Sequence, residues 1–318
     1  MNKLKLCLFV LVITSLTNSC HNKNKNRILL AEKIEYDVLI NNELLSSNNE
    51  QITFDWWVQN IEGSKREALL KKLSAGLSSG KLKAYDYNTE EQLSPEKISD
   101  ILKTSENLLK TNKLRFTEKW YINSKTLKFE KNVLSVCPVI FKDSVDIPLF
   151  RIKQDTSISE DNIHPISERI QYDINIQSPN TNNGWWKDNI ETSKRVQFID
   201  FLLNCAFSGK FKTYDYFNER VQAQKLKDEY YWSENITLLR SNPPYDKYDS
   251  IINHSIDKSQ VTRLRFMEEW YIEDNSLSII KKVKGICPII KRYREDGEFK
   301  GFMPMFWIYT DKKYPIKQ

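Results

Sequence analysis

The chain of 318 residues reads as an α+β protein: two tandem homologous units, each with a principal helix packed on a small, mostly antiparallel sheet. Three observations predict this. Residues 114–140, LRFTEKWYINSKTLKFEKNVLSVCPVI, return 150 positions later as residues 264–290, LRFMEEWYIEDNSLSIIKKVKGICPII. A match over 27 positions, setting Trp120 against Trp270 and Cys137-Pro138 against Cys287-Pro288, is an internal repeat. Within the repeated stretch Leu114, Phe116, Trp120 and Ile122 alternate with polar residues, the period of a strand. Upstream, Leu69, Leu70, Leu73 and Leu77 recur at helical spacing. With 40% hydrophobic and 28% charged residues, the composition suits two globular cores.

The first 19 residues read as an export signal. MNKLK is a short basic segment, and residues 6–16 form an apolar stretch of 11, shorter than the roughly 20 residues a spanning helix needs. Ser19 precedes Cys20 as a small residue precedes a cleavage site, and the arrangement resembles a bacterial lipoprotein signal with Cys20 as the lipidated N-terminus. Residues 20–33 are then a polar tether. Removing the signal takes Lys3 and Lys5 with it and lowers the formal charge from +6 to +4. The charges are interspersed, which gives no basic groove and no reason to expect nucleic acid.

Unit one covers 34–155. IEYDVLI (34–40) is a strand, aligned with IQYDINI (170–176). DWWVQNIEGSKREALLKKL aligns with GWWKDNIETSKRVQFIDFL at an offset of 129, so Trp56-Trp57 match Trp185-Trp186. Ser64 and Glu67 form a capping box at the start of a helix, Ser193 offers the cap in the second copy, and Gly80 and Gly209 are the C-terminal stops. GKLKAYDY and GKFKTYDY follow as short strands, with Asp86 and Asp215 as turn caps. The stretch QLSPEKISDILKTSENLLK is partly helical. The repeated core is a hairpin with turns at 123–125 and 274–275 and a bulge near Lys131-Asn132. IPLFRIKQD (147–155) closes the unit and matches MPMFWIYTD (303–311).

Residues 156–169, polar and containing Pro165, are the linker, and unit two covers 170–318. It carries 21 extra residues around SNPPYDKY (241–248), which the paired prolines mark as an exposed loop presenting Tyr245.

Once the signal is set aside, Cys137, Cys205 and Cys287 remain, too few for a disulfide scaffold, and the first and last read as small apolar core residues. No CxxC occurs and the three histidines are scattered, so no metal site and no cofactor is expected. Glu118 and Glu268 fall on the apolar face of the hairpin strand, where a carboxylate needs a partner. Buried together they could work as an acid–base pair in a hydrolase. The reading preferred is a structural ion pair, with Arg115 and Arg265 as candidate members. The doublets Trp56-Trp57 and Trp185-Trp186 each put one indole inward and one outward if extended, serving packing, a protein interface or glycan stacking. No nucleophile elbow, HExxH, P-loop or dinucleotide fingerprint is present, and an enzyme is not expected.

The order SGKFKTYDY, YWSENITLLR, the 264–290 hairpin and MPMFWIYTD resembles the GldN (PorN) family, the gliding-motility and type IX secretion proteins of Bacteroidota. Gly285-Ile286-Cys287-Pro288 and Pro304-Met305-Phe306-Trp307 stand where that family has its Gly-Ile-Ala-Pro-like and Pro-Leu-Phe-Trp motifs. The resemblance is strongest over about 185–311 and departs from the family in its two copies and its own candidate lipid cysteine. It implies a non-catalytic role in the cell envelope: an outer-membrane lipoprotein facing the periplasm, structural or accessory to a gliding or secretion assembly, with envelope proteins, such as the type IX secretion ring components, as partners. The alternative is a periplasmic module binding glycan or peptide through its tryptophans.

Overall fold

A computed structural model describes residues 26–40, 65–103, 106–143, 145–155, 162–177 and 190–315. Cys20 and the two tryptophan doublets lie outside these residues. The protein is α+β and rich in strand. Its first half runs β1 (Arg27–Leu39), α1 (Arg66–Ser78), β2 (Ala84–Tyr85), α2 (Pro95–Lys103), α3 (Glu106–Leu109), β3 (Lys113–Asn123), β4 (Phe129–Lys142), β5 (Val145–Pro148) and β6 (Arg151–Lys153). The second runs β7 (Ile163–Asn175), α4 (Thr192–Phe207), β8 (Thr213–Tyr214), β9 (Arg220–Val221), α5 (Ala223–Tyr230), β10 (Tyr231–Leu239), β11 (Lys247–Ser255), β12 (Val261–Glu273), β13 (Ile279–Tyr293), β14 (Phe299–Pro304) and β15 (Trp307–Tyr309).

The pairing of the halves is equivalent strand by strand. β1 lies antiparallel to β3 with Tyr36 opposite Phe116 and Asp37 opposite Arg115. β7 lies on β12 with Tyr172 opposite Phe266 and Asp173 opposite Arg265. In both hairpins the register slips between residues 117 and 118, or 267 and 268, leaving Leu134 and Lys284 as the extra residues. That bulge lies two or three positions past the expected one.

The halves share one sheet. β4 and β13 meet through Lys131 opposite Lys281 and Glu130 opposite Lys282, giving the strand run β1-β3-β4-β13-β12-β7. β1 and β7 end that run, yet Tyr36 and Tyr172 stack with ring centroids 5.9 Å apart. The sheet therefore curls until inward side chains from its two ends meet. Its aromatic residues interlock inside: Phe116 against Trp270 at 5.0 Å and Trp120 against Phe266 at 5.4 Å, both edge-on.

The helices tie the halves further. Arg66 on α1 donates to the carbonyls of Leu109 and Thr111, and Arg195 on α4 does the same to Ser259 and Val261, the matching positions. Each helix also reaches the opposite half. Lys72 pairs with Asp274 at 3.0 Å, and Gly76 lies under Leu277 so closely that an added Cβ would come 2.5 Å from its Cδ1. Phe198 meets Phe129 edge-on at 6.3 Å. All three are contacts between a helix and the hairpin of the other half.

Several expectations need correcting. β1 starts at Arg27, inside the expected tether, and β7 at Ile163, inside the expected linker, because both edge strands extend to cover the hairpin turns. α1 is preceded by Lys65 without a side-chain cap, while Ser64 lies outside the described residues. Ser193 sits within the first turn of α4, and its hydroxyl donates to Glu191 rather than capping amides. The expected loop around 241–248 is the tip of a nine-by-nine-residue hairpin, β10 and β11, which pairs with no other strand among the described residues. Its alternation was masked by the proline-rich tip.

Gly80 and Gly209 end their helices with φ of +73° and +68°, the left-handed region that favours glycine. Asp86 accepts from the amides of Asn88 and Thr89, and Asp215 from Phe217 and Glu219, so both carboxylates close turns. No helix among the described residues is long and apolar enough to cross a membrane.

Candidate functional site: a buried crossing of lysines and glutamates

Glu118 and Glu268 sit on the inward phase of β3 and β12 and have no exposed surface. Both are held in the same way. Glu118 Oε2 accepts from Tyr36 Oη at 2.7 Å and from Trp120 Nε1 at 2.7 Å. Glu268 Oε2 accepts from Tyr172 Oη at 2.6 Å and from Trp270 Nε1 at 2.7 Å. The remaining oxygens turn to lysines of the opposite half. Lys281 Nζ lies 2.8 Å from Glu118 Oε1, and Lys131 Nζ lies 2.6 Å from Glu268 Oε1. Lys281 also donates to Tyr36 at 3.0 Å and Lys131 to Tyr172 at 3.2 Å, with the two phenol oxygens 3.2 Å apart.

The electrostatics follow from full enclosure. Burial alone would raise the Glu118 carboxyl, but the charges of Lys281 and Lys131 outweigh it and leave it below the usual carboxylate value. Burial lowers both ammonium groups against the pull of the two glutamates, Lys281 to about 8. Burial and the carboxylates raise both tyrosines well above their ordinary value, so they remain protonated donors. The lysines also lie over aromatic faces, 3.0 Å from the Phe116 centroid for Lys281 and 3.3 Å from Phe266 for Lys131.

Chemically this is a lock. Two charges of each sign, removed from water, hold each other only if all four are present. An acid–base pair would need an open face for substrate, and both carboxylates are enclosed with their oxygens committed to Tyr, Trp and Lys. Arg115 and Arg265 take different partners. Arg115 grips Asp37 at 2.7 and 2.9 Å, and Arg265 grips Asp173 at 2.6 and 2.9 Å, both as two-pronged pairs.

Around Arg115 the first half adds a charged cleft of about 480 Å³, where Glu35 meets Arg151 at 2.9 Å and Tyr87 Oη at 3.0 Å. In the second half Gln171 and Trp307 stand in place of Glu35 and Arg151, so that ion pair has no counterpart there. Cys137 and Cys287 are buried, which pushes both thiols up to about 12 and makes them inert core groups. No cluster of metal-ligating side chains occurs among the described residues. Tyr245 is exposed at the tip of the β10–β11 hairpin with φ of +57°.

Sequence reasoning missed Lys131, Lys281, Tyr36 and Tyr172. The signal was a lysine at the same inward position of both return strands, KNVLSVCP and KKVKGICP, read there only as a change of phase.

The two motifs ending the second half also meet. Gly285 pairs with Tyr309 across β13 and β15, and the tyrosine ring lies over it where a Cβ would fall 2.5 Å from Cδ1. The Met305 amide donates to the Pro288 carbonyl at 2.9 Å, and Trp307 stacks on Tyr309. Residues 158–315 match the family described as gliding motility associated protein GldN. The chain is GldN-like across its second half. No curated protein matches it. The GldN match runs from just before β7 to just after β15 and includes Glu268, Trp270, Lys281 and Gly285. The first half reproduces the strand pairing of the GldN-like half and supplies the other half of the lock.

Proposed function

We propose that the chain is two tandem GldN-like units fused into one rigid body, acting without catalysis as a structural or accessory component of a gliding-motility and type IX secretion assembly. The reciprocal lysine–glutamate crossing supports this reading most strongly. Each half completes the buried charges of the other, so the halves behave as one solid part. The GldN match supports the assembly, and the enclosure of both glutamates supports a role without chemistry.

In the same reading Cys20 is lipidated after signal cleavage, and the body faces the periplasm from the outer membrane. Type IX secretion components are then its partners. The test is mild cross-linking of cell envelopes followed by capture of the tagged chain. The expected result is co-recovery of type IX secretion components, and their consistent absence would sink the proposal. Replacing Cys20 with alanine should release the chain from the membrane fraction, and unchanged fractionation would remove the anchor.

A further inference from the structure

We infer that the charged cleft of the first half is a binding site for a single carboxylate, gripped by the Nε–Nη2 edge of Arg151. The inference stands apart from the assembly reading and does not depend on it.

Arg151 sits on β6 opposite Tyr85 of β2 and forms part of the wall of the cleft of about 480 Å³. Its Nη1 is fully used, donating to Glu35 Oε2 at 2.9 Å and to Thr117 Oγ1 at 2.9 Å. The guanidinium lies over the Tyr87 ring, 4.4 Å from its centroid, which helps hold it in place. Its other edge is vacant. Among the described residues the buried Nε has no partner, and every hydrogen bond of this side chain runs through Nη1 rather than Nη2. Buried Nε groups also go unpartnered on Arg169 and Arg195, so the vacancy counts here because Arg151 lines a cleft.

Other arginines of the same protein show what that edge takes. Arg115 and Arg265 each present Nε and Nη2 to one carboxylate, Asp37 and Asp173, at 2.6 to 2.9 Å. A carboxylate matches this two-pronged donor in both spacing and charge. Arg151 has the same fork free at the cleft wall, and no described side chain supplies the acid.

The second half shows that packing does not demand the arginine. There Trp307 replaces Arg151 and is buried, stacked on Tyr309, while Phe302 takes the register position of Asp146. Aromatic filling therefore suits this layer of the fold. Buried ion pairs often stabilise no better than apolar residues of similar size, so stability alone gives no reason for the charges.

Charge selects the ligand. Lys33, Arg115 and Arg151 line the cleft against Glu35, Glu90 and Asp146, three of each sign. One free fork among three carboxylates accommodates a single negative charge and disfavours a dianion such as phosphate. The volume falls in the range of small-molecule sites, which leaves room for an organic body behind the acid. Small organic acids and the C-terminus of a peptide share this chemistry.

Calorimetric titration of the full chain tests the site, with propionate, N-acetyl-dialanine, the amides of both, and inorganic phosphate as probes. The expected result is saturable binding of an acid, one per chain, with at least tenfold weaker binding of its amide and of phosphate. Arg151→Lys keeps the charge but breaks the fork, and should weaken the acid at least tenfold. Propionate binding as tightly as the dipeptide assigns the site to small acids, and tighter dipeptide binding assigns it to peptide termini. No saturable binding of either acid, equal binding of acid and amide, phosphate as tight as carboxylate, or full affinity in Arg151→Lys would each overturn the carboxylate site. The acid–amide comparison uses the unaltered chain, so it decides the matter even if the variant fails to fold.

Discussion

Lys131 and Lys281 face each other where β4 meets β13, and each ammonium crosses to the glutamate of the opposite half. Two like charges are tolerated at that point because Glu118 and Glu268 flank them and all four side chains are buried. The halves thus share a charge arrangement that neither could complete alone.

Lys281→Met leaves Glu118 buried without its cation and should lower stability by about 3–5 kcal/mol. Adding Glu118→Gln should recover much of that loss, because an amide tolerates an apolar neighbour better than a carboxylate does. Urea unfolding of the two variants checks the sign. The Lys131 and Glu268 pair should respond alike.

The pH dependence has a defined direction on each side. Burial lowers Lys281 from 10.5 to about 8, so between those values the unfolded chain holds a proton that the folded chain has lost. Stability from this group therefore rises with pH across that window. Glu118 is lowered from 4.5, so its contribution is complete above that value and is lost as pH falls through the folded one. Urea midpoints measured from pH 8 to 10 should climb more steeply in the wild type than in Lys281→Met.

Gly285→Ala should destabilise by about 1–3 kcal/mol through overpacking, because a Cβ there would fall 2.5 Å from Tyr309. Combining it with Tyr309→Ser should restore part of the loss. Thermal melts of the single and double variants decide whether that ring is what requires glycine.

Phe198→Ala should cost about 3–5 kcal/mol. Its ring packs on Phe129 of the other half, so amide exchange should speed up in β4 as well as around α4. Acceleration confined to the second half would contradict the packing of α4 on the first half's hairpin.

The strand pattern was largely legible, because period-two alternation in residues 114–122 and 264–272 reports directly which side chains point inward. The same alternation placed both glutamates in the core. Their partners were not legible. Lys131 and Lys281 lie on a strand whose phase changes at a bulge, and no local spacing reveals that a lysine will cross to a glutamate on the other copy. Arg115 and Arg265 stood near the right place but found aspartates on the adjacent edge strands, fixed by register rather than by sequence proximity. The β10–β11 hairpin was hidden because Pro243-Pro244 reads as irregular, while its nine-residue strands carry polar residues on both faces.

The most direct test of the fused body is urea unfolding of the full chain carrying Lys131→Met, read by amide exchange separately in β3 and β12. Lys131 belongs to the first half and its carboxylate partner to the second. One shared transition, shifted to lower urea in both strands, is the predicted result. Two separated transitions, or β12 retaining its wild-type midpoint, would contradict the account.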